Sequence, residues 1–212
     1  MAADTLKSSL KEVESSLSGQ LERRERLLRE SRDVISSCSR AIISVHAGKM
    51  AEALKELHLA RAKLEPLRRF GEGQLSRYLV PPDTEFVEAS AVIALAKGRP
   101  VPSRSALGAS PEAYLLGLLD TVGELKRLVL NSIMKGDIPA ADKHFRSMEL
   151  LYSACSPLAV FDHVANGARR KIDVARMLVE DTRGVMTEEL RRDSLMASMQ
   201  RLEKRLDRRT GA

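Results

Sequence analysis

The sequence has very few aromatic residues: Phe, Tyr and Trp together make up 3% of its 212 residues, and Trp is absent. Aromatic side chains favour β-strands and provide the flat surfaces on which nucleobases stack. Their scarcity argues against a strand-rich fold and against recognition of bases by stacking. The helix formers Leu, Ala, Glu, Arg, Lys and Met remain, so we expect an all-α protein.

Cysteine is equally sparse. Cys38 and Cys155 are too few for a disulfide framework, and neither belongs to a C-x-x-C pair of the kind that binds zinc. We expect both to be reduced residues on helices.

Long apolar runs are missing as well. The longest are residues 91–96 and 115–119, the latter including Gly117, whereas a helix that spans a bilayer needs about 20. Residues 1–18 alternate polar and apolar side chains, so neither a secretory signal nor a membrane anchor is predicted. We therefore expect one domain over residues 1–212, in the cytoplasm and without a membrane partner.

The first predicted helix has an apolar and a basic side. Residues at a seven-residue spacing, with two more at intermediate positions, predict a packing stripe that ends before Gly48. The members of this stripe are Leu21, Leu28, Ile35, Ile42, Cys38 and Val45. Arg29, Arg32 and Arg40 fall on the other side of the helix. Such a face is more often solvated than ligand-binding, but with a net charge of +6 it permits a polyanionic partner.

Capping residues and breakers divide the rest of the chain into further helices. A second helix starts near Lys49 and is expected to end or kink at Pro66, and residues 98–109 form a loop. A third helix over 84–97 is apolar on almost every side and should be buried. Further helices are predicted over 110–135, 137–153 and 156–183, the first two capped by Ser110 and Asp137. Gly184 is expected to stop the last of these helices, and Thr187 to cap a final one. The predicted fold is a bundle of about seven helices.

Two acidic pairs stand out on these helices. Glu85 and Glu88 are three residues apart, so they lie on one face of the third helix, about 5–6 Å apart at Cβ. Asp120 and Glu124 are four residues apart and share a face of the Leu-rich helix over 110–135. If the two helices pack side by side, four carboxylates converge, which is costly away from water unless cations neutralise them.

A set of carboxylate ligands suits Mg²⁺ or Mn²⁺ better than zinc or copper. Such ions activate water and offset charge on a phosphodiester. Arg127, one turn beyond Glu124, would then hold a phosphate oxygen, and Asn131 continues the same polar stripe. Two plainer interpretations stay open: Glu85 and Glu88 complement the dipole of their helix, and the Asp120 stripe is a solvated face.

The four histidines give no further site. They are scattered, and none follows a Glu by three residues, which argues against a di-iron carboxylate bundle. We expect all four, His46, His58, His144 and His163, to be structural. Nucleotide-binding loops and zinc-finger patterns are also missing.

Several segments resemble the translin and translin-associated factor X family. They are residues 85–89 (EFVEA), 114–117 (YLLG), 120–127 (DTVGELKR), 131–132, 136–137 and 170–176 (RKIDVAR). The resemblance implies a seven-helix bundle that assembles into hollow homo-oligomers, commonly octamers, enclosing RNA. It also implies that Glu85, Glu88, Asp120 and Glu124 match the acids with which the factor X branch cleaves RNA in a Mg²⁺-dependent reaction. Arg127 matches the arginine near those acids.

The resemblance also separates the alternatives. Translin itself lacks the complete acidic set and mainly binds nucleic acid, whereas this sequence has all four acids. The chain is compact and lacks the basic import cluster of eukaryotic factor X, which suggests a stand-alone homo-oligomer of prokaryotic type. We therefore expect an endoribonuclease that uses Mg²⁺, or Mn²⁺, on single-stranded or short duplex RNA. The alternatives are a non-catalytic RNA- or single-stranded-DNA-binding protein of this fold and a helical scaffold.

The expected RNA contacts are basic and polar side chains. With so few aromatic residues, binding would rest on phosphates and backbone shape, and sequence preference should be weak. The candidates are Arg127, Arg29, Arg32, Arg40 and Asn131.

Overall fold

The computed structural model describes the backbone of residues 2–210 and the side chains of residues 5–206, so the ends of the predicted domain over 1–212 lie outside the described residues. Residues 2–210 form helices and contain no strand. The helices are α1 (Ala2–His46), α2 (Met50–Phe70), α3 (Val80–Ala96), α4 (Arg104–Leu107), α5 (Pro111–Met134), α6 (Ile138–Cys155) and α7 (Ala168–Thr210). Two short 3₁₀ segments, Gly73–Leu79 and Ser156–Phe161, complete the fold. The prediction of an all-α bundle of about seven helices is confirmed.

Helix α3 lies at the centre of the bundle. It packs between α1 and α5, while α2 covers α1, and α6 and α7 pack against α5 and each other. From Pro82 to Ala94 every residue of α3 is buried except Glu85, which is partly exposed. This agrees with a helix that is apolar on almost every side, and it places any polar side chain of α3 at a helix–helix junction.

Gly117 permits a close approach between α3 and α5. A Cβ at this position would lie 2.6 Å from the Thr84 carbonyl oxygen and 2.8 Å from Val87 Cβ. Only glycine leaves room for the two backbones at this distance. Gly117, the last residue of the YLLG segment, is therefore required for α3 to pack on α5 at this distance.

The packing stripe of α1 is shifted from the predicted one. Its centre is formed by Leu27, Val34 and Ala41, which are fully buried, whereas Leu28 and Ile35 are only half-buried. Cys38 and Val45 are buried as predicted, but Leu21 is 53% exposed. Residues spaced seven apart can lie at the edge of an apolar face as well as at its centre. The sequence pattern therefore predicted the correct side of α1, but placed the centre of the stripe one residue too far along the chain.

The prediction that Gly184 ends a helix is wrong. Helix α7 runs through Gly184 without interruption, and Thr187 does not cap a new helix: its hydroxyl donates to the Arg183 carbonyl oxygen at 2.8 Å. Glycine inside a helix costs only about 1 kcal/mol, and burial of Val179 and Met186 on either side holds the helix together. The start of this helix also differs, since residues 156–161 are 3₁₀ and α7 begins at Ala168.

Other boundaries are close to the prediction. Ser110 and Asp137 cap α5 and α6, accepting hydrogen bonds from the amides of Ala113 and Ala140 at 3.1 and 3.0 Å. Pro66 does not end α2, which continues to Phe70. The loop expected over 98–109 contains the short helix α4, and α1 begins well before the predicted stripe. None of the described helices is both long and apolar enough to cross a membrane.

Candidate functional site

The structure brings the two predicted acidic pairs together at the junction of α3 and α5. Glu85 and Glu88 come from α3, and Asp120 and Glu124 come from α5. Asp120 is one helical turn beyond Gly117, where the backbones of the two helices lie close together. The negative charges of all three other carboxylates contribute to raising the pKa of Glu88. We call Glu85, Glu88, Asp120 and Glu124 the acidic cluster.

The two glutamates of α3 are buried or partly buried beside other carboxylates. Burial, and then the charge of Glu85, raises the pKa of Glu88 to about 8. Burial, and then the charge of Asp120, raises the pKa of Glu85 above its usual range. Both shifts have the sign expected when a carboxylate is removed from water beside other carboxylates. A cation bound on this side of the cluster would offset the negative charge that burial makes costly.

Asp120 has a positive partner on another helix. Lys171 Nζ on α7 donates to both carboxylate oxygens of Asp120. Both side chains are about one-third exposed. Spacing along the sequence gave no reason to pair residues 51 positions apart. The one signal for Lys171 was its place in the RKIDVAR segment of the family resemblance.

Glu124 forms a hydrogen bond with His46, a residue that the sequence predicts to be structural. His46 Nε2, at the end of α1, lies 2.5 Å from Glu124 Oε2, and the His46 side chain is 4% exposed. The hydrogen bond to His46, more than any other interaction, lowers the pKa of Glu124. The other ring nitrogen, His46 Nδ1, is buried and has no hydrogen-bond partner among the described residues.

Arg127 lies close to the acidic cluster. Its guanidinium is exposed, and its positive charge helps to lower the pKa of Glu124. Asn131 is two turns beyond Glu124 on the same helix and is half-buried. Arg127 is therefore placed beside the acids as predicted, while Asn131 extends the polar stripe away from them.

Cys38 lies beneath the acidic cluster, on the buried side of α1. Burial, followed by the charges of Glu85 and Glu88, raises the pKa of its thiol to about 12. A thiol with such a pKa is an unreactive packing residue. This agrees with the expectation that Cys38 is a reduced helix residue.

The structure does not bring the three arginines of α1 to the acidic cluster. Helical geometry puts Arg29, Arg32 and Arg40 on the side of α1 opposite Cys38. Arg40 is also engaged, with Nη2 2.9 Å from Glu56 Oε2 on α2. Arg29 and Arg32 are exposed and have no ion pair or side-chain hydrogen bond within residues 5–206. A nucleic acid could contact them only on a surface separate from the acids of the same chain.

The acidic cluster has the right donors for a hard divalent cation. Carboxylate oxygens are the ligands that Mg²⁺ and Mn²⁺ prefer, and burial beside other carboxylates raises the pKa values of the two glutamates of α3. In the described part of the chain, however, no three His, Cys, Asp or Glu side chains are grouped closely enough to hold an ion as arranged. Lys171 instead forms an ion pair with Asp120, and His46 forms a hydrogen bond with Glu124.

The sequence matches a known protein family over the region that contains the acidic cluster. The family model described as Translin family matches residues 73–182, a range that contains the whole acidic cluster and Lys171 but not His46. An uncharacterized protein of Methanocaldococcus jannaschii is 33% identical over 168 residues, covering 76% of this chain and 73% of that protein.

Solved structures share the fold over most of the chain. A structure of AfC3PO with duplex RNA is 29% identical, with a TM-score of 0.76, and covers 85% of this chain and 95% of that one. A crystal structure of AfC3PO alone is 30% identical, with a TM-score of 0.77 and coverages of 85% and 96%. A crystal structure of apo-NeC3PO, with 20% identity, a TM-score of 0.74 and the same two coverages, shows the likeness of fold alone.

Proposed function

We propose that this chain, which belongs to the translin family, binds RNA and cleaves it in a reaction that depends on Mg²⁺ or Mn²⁺ at the acidic cluster. The observation that carries the proposal is the convergence of four carboxylates at the junction of α3 and α5, two of them with raised pKa values. The AfC3PO structure with duplex RNA supports RNA as the substrate class.

Each residue of the cluster has a distinct part in the proposed reaction. Glu85, Glu88 and Asp120 would hold the cation, and Glu124, kept ionised by His46, would complete the ligands. A divalent cation bound there lowers the pKa of water and offsets the charge that develops on the phosphodiester. Arg127, exposed beside Glu124, would bind a nonbridging phosphate oxygen of the RNA.

The ion pair between Lys171 and Asp120 must break for this arrangement to form. The Lys171 ammonium group donates to both oxygens of the Asp120 carboxylate, and a bound cation would need these same atoms. Once released, Lys171 Nζ is a free donor at the edge of the cluster, where an RNA phosphate would lie. The same side chain can therefore neutralise Asp120 before binding and contact RNA afterwards.

A second function is favoured by the same ion pair. Because Lys171 and His46 already occupy carboxylate oxygens of Asp120 and Glu124, the chain could bind RNA or single-stranded DNA without cleaving it. In that case the acidic cluster would be a structural network, and the phosphates would be bound by arginines elsewhere. Cation binding and cleavage separate these two functions.

We also propose that the chain assembles with itself, as an octamer by family resemblance. Near the start of α1 the apolar residues Leu6, Leu10, Val13 and Leu17 are each 51–60% exposed. Their spacing of four, three and four residues has the same register as the buried stripe at Leu27, with the polar residues Gln20 and Arg24 between the two. An apolar stripe of this kind is the usual contact face of paired helices, so a second copy is a suitable partner.

The experiment that tests the proposed function is cleavage of a labelled short RNA by the purified protein. Mg²⁺ or Mn²⁺ should support cleavage, and a chelator should stop it. Cleavage that survives the chelator would exclude a role for the acidic cluster as a cation site, and RNA binding without cleavage in either condition would favour the second function.

A further inference from the structure

A cavity opens between α5 and α7 directly beside the acidic cluster. Its volume is about 370 Å³, within the usual range for a small-molecule site, and Asp120 and Lys171 lie on its wall. The rest of that wall is largely apolar, with Leu119 on α5 and Val174 and Leu178 on α7. The cavity thus joins an apolar surface to the atoms that the proposed reaction uses.

The polar groups of the cavity are mainly cationic. Arg170 and Lys171 line it, and Asp120, already paired with Lys171, is the one acid among its lining residues. Arg170 is exposed and has no ion pair or hydrogen bond within the described side chains. An apolar wall with an unpaired guanidinium at its edge suits a ligand that has both a flat apolar part and an anionic part.

We propose that this cavity is a nucleotide subsite, in which one base of the bound RNA lies against Leu119, Val174 and Leu178 while its phosphate is bound by Arg170. This inference rests on the proposed function, because the subsite is useful only if RNA passes the acidic cluster. A nucleotide held here places the adjoining phosphodiester next to Asp120. Lys171, released from Asp120, provides the second cation for that phosphate.

Gly123 contributes the space that the base requires. It lies one turn beyond Asp120 on α5 and lines the cavity. A Cβ at this position would be 3.8 Å from Leu178 Cδ1, an ordinary packing distance. Replacement by alanine is therefore compatible with the fold and would narrow the cavity by one methyl group.

The subsite accounts for recognition of nucleotides by a protein with so few aromatic residues. The part of its wall that would contact the base, Leu119, Val174 and Leu178, is aliphatic and offers no hydrogen bonds to base edges, so any base can occupy it. Arg170 can bind the phosphate and also lie over the face of the base, as guanidinium groups do in RNA complexes. Binding should therefore be specific for a nucleotide over a free phosphate, with little preference among bases.

The direct test is titration calorimetry of the full-length protein in chelator with adenosine 5′-monophosphate, adenosine and inorganic phosphate as separate probes. Wild type should bind the nucleotide more tightly than either fragment. Val174→Trp, which fills the cavity from an exposed position, should weaken nucleotide binding by about tenfold or more and leave phosphate binding unchanged. Arg170→Gln should weaken both. Met177→Trp is the matched control, because Met177 is exposed on α7 but does not line the cavity, and it should change neither.

The outcomes distinguish this inference from the proposed function. Unchanged nucleotide affinity in Val174→Trp, or no tighter binding of the nucleotide than of phosphate by wild type, overturns the subsite. Gly123→Ala gives an independent check, since it should weaken nucleotide binding while raising thermal stability. Nucleotide binding without cation-dependent cleavage of RNA would contradict only the catalytic part of the proposed function.

Discussion

Lys171 on α7 donates to both carboxylate oxygens of Asp120 on α5. The ion pair ties the last long helix of the chain to the acidic cluster. The charge of Lys171 also acts on Glu85 and Glu88, but burial and the neighbouring carboxylates keep the pKa values of both raised. In the proposed function this lysine and a divalent cation compete for the same carboxylate.

Replacing Lys171 by methionine should strengthen cation binding. Without the ammonium group, Asp120 is free and the charge of Lys171 no longer opposes an arriving Mn²⁺, so we expect about fivefold tighter binding, equivalent to ~1 kcal/mol. Isothermal titration with Mn²⁺ measures this change without reference to cleavage. Lys126→Met is the control, because Lys126 makes a similar ion pair to Asp181 between α5 and α7 outside the cluster. Weaker binding in Lys171→Met would mean that the lysine organises the site instead of competing for it.

Stability in chelator should depend on pH through Glu88. The pKa of Glu88 is raised from 4.5 to about 8 in the folded protein, so between these values the folded state binds more protons than the unfolded state. Stability from this group is therefore present at acidic pH and lost as the pH rises towards 8. Glu88→Gln removes the effect, and its melting temperature should exceed that of wild type by a margin that grows from pH 5 to pH 8.

The control for this pH dependence is Glu52→Gln, at an exposed position of α2. It should track wild type at every pH. A constant difference between Glu88→Gln and wild type across the range would show that Glu88 is ionised normally in the folded protein.

Two glycine-to-alanine variants should have opposite effects on stability. At Gly184 a Cβ meets nothing within 4 Å, so alanine should stabilise the continuous helix α7 by about 1 kcal/mol. At Gly117 the same change forces a Cβ against the Thr84 carbonyl oxygen and Val87, which should cost ~1–3 kcal/mol. Denaturant unfolding measures both. Destabilisation by Gly184→Ala would indicate that α7 is interrupted there after all.

The arginines of α1 should contribute unequally to RNA binding. Arg29 and Arg32 are unpaired among the described residues, whereas Arg40 is engaged by Glu56. If this face contacts RNA in the oligomer, Arg29→Gln with Arg32→Gln should weaken binding and reduce the log–log salt slope by roughly 1.4, or 0.7 for each phosphate contact. Arg40→Gln alone should change the slope less.

Binding of one labelled RNA at several salt concentrations measures these slopes. Equal slopes for wild type and the double variant would show that this face is solvated surface. The RNA would then be bound elsewhere, with Arg170 the next candidate.

The sequence predicted the elements that depend on local chemistry. Ser110 and Asp137 were identified as caps because capping is decided within one turn, and the third helix was predicted to be buried because its side chains are apolar all round. The acidic pairs were found by their spacing within single helices. Their convergence was a hypothesis about packing, which Gly117 makes possible.

The contacts that the sequence could not predict join distant parts of the chain. His46 and Glu124 are 78 residues apart, and no local pattern relates them. The helix end predicted at Gly184 was wrong because the sequence shows only the local effect of glycine. Burial of residues on both sides of Gly184 outweighs that effect. Side chains that reach a site from a neighbouring helix can be identified only when the packing of the helices is known.

The most direct test of the central claim is cleavage of a labelled short RNA in Mg²⁺ by wild type, Glu88→Gln and Asp120→Asn. Each substitution removes one charge of the acidic cluster at nearly constant volume, so the fold and the oligomer should persist, as circular dichroism and gel filtration would verify. Cleavage by Glu52→Gln should equal that of wild type. The account predicts that Glu88→Gln and Asp120→Asn bind the RNA but no longer cleave it, and undiminished cleavage by both would contradict it.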